Sequence, residues 1–394
     1  MQQLLILRKK GILPIIVISQ FCCTSLWFAS NAVMGNLVQV FDLNNNAIGF
    51  LTSSVQFGFI IGTLLFAILT IADRFSPSKV FFISAILGAI CNSAIIWDGN
   101  TLTSLLVFRF LTGFFLAGIY PVGMKIASDY YKKGLGKSLS FLVGALVLGT
   151  AFPHILKGFI DVSTWKPILI ATSIIALLGG FLILLLVPDG PNRIVAKTLD
   201  LSSVSKVFKN VKFRAAAFGY FGHMWELYAF WAFAPILLKT YSELHPNVEF
   251  NNALLSFIII AVGGLGCVIG GYLSEYFGTK NTAFTALLLS CICCLISPLL
   301  FTMTSEIVFI GYLIFWGIVV IADSPLFSTL VAQNTEPHLK GTALTIVNCI
   351  GFAITIVSIL LLNTLVSSIN SLMVYMVLGI GPALGLISLS RKTK

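Results

Sequence analysis

The chain has 394 residues, of which 58% are hydrophobic and only 10% charged. A soluble domain carries about a quarter charged residues, so a large water-soluble protein is excluded and a lipid-facing surface must replace most of the charged one. The net charge of +10 does not point to nucleic acid, because the basic residues sit in short segments between apolar runs.

Twelve apolar stretches follow one another, each close to the ~20 residues that cross a bilayer's hydrocarbon: 12–34, 47–71, 79–97, 101–125, 136–158, 166–187, 213–239, 250–274, 280–301, 307–332, 339–364 and 367–390. The first follows Arg8, Lys9 and Lys10 and is too long for the apolar core of a signal peptide, so a retained span is expected. At helical spacing it places Gln20, Thr24, Trp27 and Asn31 on one narrow stripe. After span two comes Ala72-Asp73-Arg74-Phe75-Ser76. Span four buries Arg109 inside the apolar run Leu105 to Gly118, with Leu116 and Tyr120 on the same face. Lys125 points elsewhere and is read as snorkelling or pairing with Asp129, one turn on. Span five carries Pro153 and, toward its outer end, His154.

The long segment Pro188 to Lys212 divides the chain into 1–187, a central loop 188–212, and 213–394. Val204, Val207, Phe208 and Val211 lie at helical spacing, so the segment reads either as a short amphipathic helix or as a solvated linker. Span seven puts His223, Glu226 and Phe230 on one face, a turn apart, where carboxyl and imidazole could share a proton. Cys291, Cys293 and Cys294 fall in the middle of span nine without a neighbouring His and read as small apolar filler. Span ten puts Trp316 and Asp323 together. Span eleven adds Thr345, Asn348, Phe352 and Thr355. No HExxH, paired Asp motif or GxSxG with its partners is present, so neither an enzyme nor a metal or other cofactor is indicated.

Lys and Arg fix the orientation. With the N-terminus inside, the inner segments hold Arg8 to Lys10, Lys132 to Lys137 and Arg193 to Arg214, whereas the outer ones hold only Lys157, Lys166 and Lys239. The halves also repeat. Asp73 after span two answers to Glu275 after span eight, and Gly113 with Pro121 in span four to Gly317 with Pro325 in span ten. Gly136 opening span five answers to Gly341 opening span eleven, all at an offset of about two hundred residues. Transporters are commonly built from such repeats, with the substrate near the midplane.

With these features the chain resembles the major facilitator superfamily over essentially its whole length. The family's signature between spans two and three is Gly-x-Leu-Ala-Asp-x-x-Gly-Arg-Lys. The second-half copy, with Gly271, Glu275, Gly278 and Lys280, is close to it; the first keeps Asp73 and Arg74 but lacks both glycines and the basic pair, so a weaker cytoplasmic latch is expected in the first half. The resemblance implies two six-helix bundles, alternating access, and a cavity lined by spans one, four, seven and ten. It implies proton coupling for many members that carry an Arg in span four followed by Gly and Pro, as Arg109, Gly113 and Pro121 do. The span-five signature of drug exporters keeps Gly149 and Pro153 but lacks its other glycines, which weighs against an exporter.

The expectation is therefore an all-α membrane protein of twelve spans in two pseudo-symmetric bundles. It is monomeric, lies in the cytoplasmic membrane with both termini inside, and moves a small organic anion or zwitterion with protons. Desolvation penalises a charged carboxylate, so Glu226, with Asp323 second, is read as the proton carrier. Arg109 is the fixed positive anchor. Trp27, Asn31, Tyr120, His154, His223, Phe230, Trp316 and Asn348 are read as substrate contacts, and Asp73, Arg74, Gly271, Glu275, Gly278 and Lys280 as gating residues. The alternative function is a proton-driven exporter of drugs or metabolites. The alternative for each polar residue is structural, an interhelical hydrogen bond worth about 0.6 kcal/mol or a buried ion pair.

Overall fold

A computed structural model of the protein describes residues 2–44, 46–131, 135–159, 164–193, 204–336, 339–369 and 371–391, and among these all regular structure is helical. In chain order the helices are α1 (Gln2–Thr24), α2 (Ala29–Ala32), α3 (Met34–Val40), α4 (Ala47–Ile68), α5 (Ile71–Arg74), α6 (Pro77–Ala94), α7 (Leu102–Leu116), α8 (Tyr120–Tyr130), α9 (Leu135–Phe159) and α10 (Lys166–Leu186). They continue as α11 (Val204–Lys209), α12 (Val211–Leu244), α13 (Asn252–Phe277), α14 (Thr279–Thr302), α15 (Glu306–Ala322), α16 (Ser324–Gln333), α17 (Lys340–Ser368), a 3-10 helix (Leu372–Gly379) and α18 (Ile380–Ser390).

Ten of these segments are long and apolar enough to cross a membrane, and Gly11–Thr24 adds a shorter apolar helix. The twelfth is α12. At 34 residues it is long enough, but His223, Glu226 and their polar neighbours lower its hydropathy. Most of its surface from Ala216 to Leu238 is buried, so it needs no apolar face turned to lipid.

Three spans are broken where the sequence reads as continuous. Span one stops at Thr24 and resumes at Ala29 as α2. Spans four and ten break between α7 and α8 and between α15 and α16, with Pro121 and Pro325 in the first turn of the second piece. A proline there lacks the N–H that a continuing helix would need.

The chain separates into two compact units, Met1–Leu43 with Ser54–Leu199, and Asn44–Ser53 with Asp200–Lys394. In the first, α1 packs on α8, α9 and α10, and α6 on α7 and α10. In the second, α12 packs on α16, α17 and α18, and α13 on α15. The repeat is visible in how spans two and four meet, and spans eight and ten. A Cβ on Gly58 would lie 1.9 Å from the Phe110 carbonyl oxygen, and one on Gly113 1.9 Å from that of Val55. In the second unit a Cβ on Gly266 would lie 2.4 Å from the Ile318 oxygen, and one on Gly317 2.0 Å from that of Ile259. Each pair is thus held at a backbone-to-backbone approach that only glycine permits, the small-residue packing typical of membrane helices.

Of the central loop, residues 194–203 lie outside the described residues. The helical alternative for the rest takes form as α11, whose Val207 is buried and which contacts α12 and α17.

Candidate functional site

Arg109 lies on α7 and is 1% exposed. Its guanidinium donates through Nη1 to the Leu26 carbonyl at 3.1 Å and through Nη2 to the Trp27 carbonyl at 2.5 Å. Both oxygens belong to the break in span one, where the helix ends and carbonyls lose their N–H partners. A cation at a helix C-terminus also meets the negative end of its dipole. Arg109 therefore caps a broken helix with two forked bonds, and its Nε finds no acceptor among the described residues. The expected polar stripe of span one does not continue as one helix face. Gln20 and Thr24 are on α1, Trp27 sits in the break against the ring of Phe59 at 4.8 Å, and Asn31 is buried on α2. The break in span four likewise interrupts the periodicity between Arg109 and Tyr120, which opens α8 half-buried. His154, on α9 after Pro153, is 2% exposed with no partner for Nε2 among the described residues.

In the second unit α12 presents Glu226, 1% exposed. Three donors converge on its Oε1: Ser290 Oγ, Cys294 Sγ at 3.2 Å and Trp316 Nε1 at 2.5 Å. All three are neutral, and no Lys, Arg or His forms an ion pair with Glu226 among the described residues. Its neighbour on the same helix, His223, points to span ten. Its Nδ1 lies 2.8 Å from Asp323 Oδ1, within ion-pair range if the ring is protonated but not aligned as a hydrogen bond. The expected His223–Glu226 sharing is thus replaced by two separate pairings from span seven to span ten, His223 with Asp323 and Glu226 with Trp316. Phe230 packs at a tilt against Trp316, with ring centroids 4.4 Å apart and an interplanar angle of 31°. Asn348 is half-buried on α17.

Sequence reasoning missed Ser290 and Cys294. Both lie on the face of α14 that also carries Ser297. The spacing i, i+4, i+7 was present, but small side chains in an apolar span read as filler. Among the described residues no group of three or more His, Cys, Asp or Glu is placed to hold a metal ion.

The two copies of the signature loop differ. Thr70, in left-handed backbone with φ of 50°, turns the chain from α4 into α5. Asp73 there accepts Lys125 at 2.7 Å, whereas Asp129 is 3.7 Å from the same amine. So Lys125 reaches past its helical neighbour and supplies the cation that the degenerate motif lacks. Arg193 ties the start of the central loop to this site, donating to the Asp73 and Phe75 carbonyls at 2.8 and 2.7 Å and pairing with Asp189 at 2.7 Å. Arg74 is exposed. In the second copy Gly271 is half-buried and Glu275 and Lys280 are exposed. Gly278, with φ of 82°, ends α13 in the backbone region that favours glycine. The first half, expected to hold the weaker latch, carries the more extensive polar network.

Residues 16–360 match the sequence profile of the Major Facilitator Superfamily. The chain is 24% identical over 340 residues to the Benzoate transport protein of Acinetobacter baylyi, which covers 75% of this chain and 70% of that one. A stretch of 158 residues is 28% identical to the Efflux pump FUBT of Fusarium oxysporum, covering 38% of this chain and 26% of that protein. Among solved structures, the inward open xylose transporter XylE from E. coli superposes with a TM-score of 0.74 at 16% identity, covering 97% of both chains. That likeness is one of fold. The profile covers most of the chain, and the helical architecture agrees with it. The chain belongs to the Major Facilitator Superfamily and is a multi-pass membrane transporter of small molecules.

Proposed function

We propose that this protein is a proton-coupled transporter of a small organic anion or zwitterion, working by alternating access in the cytoplasmic membrane. The observation that carries this reading is Glu226. It is a carboxyl group deep in a membrane helix, satisfied on one oxygen by three neutral donors and, among the described residues, locked by no cation. A buried acid held in an ion pair keeps its charge; one held only by neutral donors can exist with or without its proton, as a carrier must. His223, one turn from Glu226 on α12, lies beside Asp323 of span ten as a second titratable pair.

Arg109 provides the fixed positive charge. Its fork now holds two backbone carbonyls, and an incoming carboxylate, a charged acceptor, would make stronger bonds to the same donors. The likeness to a benzoate transporter supports an aromatic acid as the first substrate to try. Bundles 1–187 and 213–394 form the two moving halves, joined by 188–212, with both termini inside and the protein acting as a monomer.

Purified protein in liposomes with an enclosed pH dye tests this. Benzoate, other carboxylates, amino acids, sugars and cationic drugs are added in turn. Carboxylate-dependent acidification of the lumen is expected, absent with Glu226→Gln. Carboxylate entry without proton movement would overturn the coupling. The second reading, export of amphiphiles, is favoured by the likeness to a fungal efflux pump over part of the chain; it predicts proton movement only with the cationic drugs.

A further inference from the structure

We propose that Trp316 is a positioning residue that ties the proton occupancy of Glu226 to the packing of an aromatic wall between spans seven and ten. The inference rests on the reading of Glu226 as the proton carrier.

Trp316 is fully buried and makes two different contacts with the same face of α12. Its indole N–H donates to Glu226 Oε1 at 2.5 Å. Its ring packs at a tilt against Phe230, one turn along the helix, and lies 5.5 Å from the ring of Tyr312. Tyr312 in turn donates to the Cys293 carbonyl at 2.8 Å, joining span ten to span nine. A hydrogen bond to an ionised carboxylate is roughly twice as strong as one to a neutral acceptor. When Glu226 takes up a proton, all three donors on Oε1 lose that advantage together.

They do not respond alike. The Ser290 hydroxyl can rotate to a backbone carbonyl of its own helix, as serines in helices do. Cys294 is a weak donor with little to lose. The indole has one N–H, no acceptor, and no freedom to redirect it except by moving the ring. Any such movement changes the packing against Phe230. Trp316 is therefore the donor through which a proton on Glu226 reaches the packing of span seven on span ten.

The other titratable groups around Glu226 are compatible with this role. Span nine brings the thiols of Cys291, Cys293 and Cys294, and span ten the phenol of Tyr312. Span ten also brings the carboxyl group of Asp323, which faces His223.

Trp316→Phe keeps an aromatic ring and removes the N–H. Transport by W316F, E226Q and wild type is measured in liposomes across external pH with benzoate as probe. The emission of Trp316 is taken as the difference between wild type and W316F, because the chain holds 6 tryptophans. In W316F the midpoint of the pH profile is expected to move up by about one unit, whatever the maximal rate, since a carboxylate that loses a donor to its ionised form gives up its proton less readily. The difference emission is expected to titrate with pH, and the wild-type emission to lose that titration in E226Q. Should W316F not fold, Ser290→Ala, which removes a second donor from the same oxygen, together with the comparison of wild type and E226Q, carries the test. A W316F profile with an unmoved midpoint, or a Trp signal that titrates equally in E226Q, would overturn the assignment while leaving Glu226 as carrier. A wild-type profile independent of pH would instead remove the proton-carrier reading, and this inference with it.

Discussion

Arg109 and Glu226 are equally buried, yet the fold treats them differently. Arg109 never sheds its charge and is given two main-chain carbonyls at the break in span one. Glu226 is given three neutral donors and, among the described residues, no cation. Arg109→Lys keeps the charge but not the fork, and a single ammonium at the end of a flexible stem is not pre-organised to hold both oxygens. A carbonyl left without a donor costs about 1–3 kcal/mol. The variant is expected to unfold at a temperature several degrees lower in detergent and to transport at least about tenfold more slowly. Unfolding at the wild-type temperature would mean that the capping bonds contribute nothing. In the signature loop of the first half, Asp73→Asn removes the acid that Lys125 prefers. Lys125 then turns to Asp129, 3.7 Å away, and a stability change under about 1 kcal/mol is expected, as for a partly exposed pair. Chemical denaturation measures it, and a loss of several kcal/mol would show the network to be a structural keystone.

Among the helices, the position of every span was legible in the apolar runs, because lipid demands about 20 apolar residues per crossing. The breaks were legible only in part. Pro121 and Pro325 mark those in spans four and ten, but Pro153 and Pro235 lie inside unbroken helices, so a proline alone does not separate a break from a tolerated kink. Nothing in Ser25, Leu26, Trp27 and Phe28 announces the break in span one; its carbonyls are satisfied by an arginine 82 residues or more away, a tertiary effect that local sequence does not encode. The pairing of His223 with Asp323, and not with Glu226, was hidden for the same reason, since helical spacing gives neighbours along a helix but not the helix opposite. The glycines at the span two–four and eight–ten crossings were visible as a repeat, while their role as close-approach points needed the packing. Gly113→Ala and Gly317→Ala each place a Cβ about 2 Å from a carbonyl oxygen, so each is expected to reduce the yield of monodisperse protein severely. Gly341→Ala, where a Cβ meets nothing within 4 Å, serves as the control and should behave as wild type. Equal yields for all three would contradict the close-approach account.

At the scale of the whole molecule, the sequence repeat and the charge bias of the loops describe a transporter of two like halves, and the family match agrees. The halves are alike in architecture and unlike in chemistry. The first holds a fixed cation at a broken helix; the second holds Glu226 and the His223–Asp323 pair. That division suits a machine in which one half anchors an anionic substrate and the other carries the proton. It also fits the polar residues of α12: most of its surface is buried inside the bundle, where burial and not hydropathy keeps it in place. The central claim is that Glu226 couples proton and substrate movement, and it is tested most directly by separating exchange from accumulation. Liposomes are loaded with benzoate to follow its exchange, or are given an alkaline lumen to follow the uptake of labelled benzoate. Wild type is expected to exchange and to accumulate against the gradient, whereas Glu226→Gln should still exchange but no longer accumulate. Accumulation by the variant at the wild-type level would contradict the account.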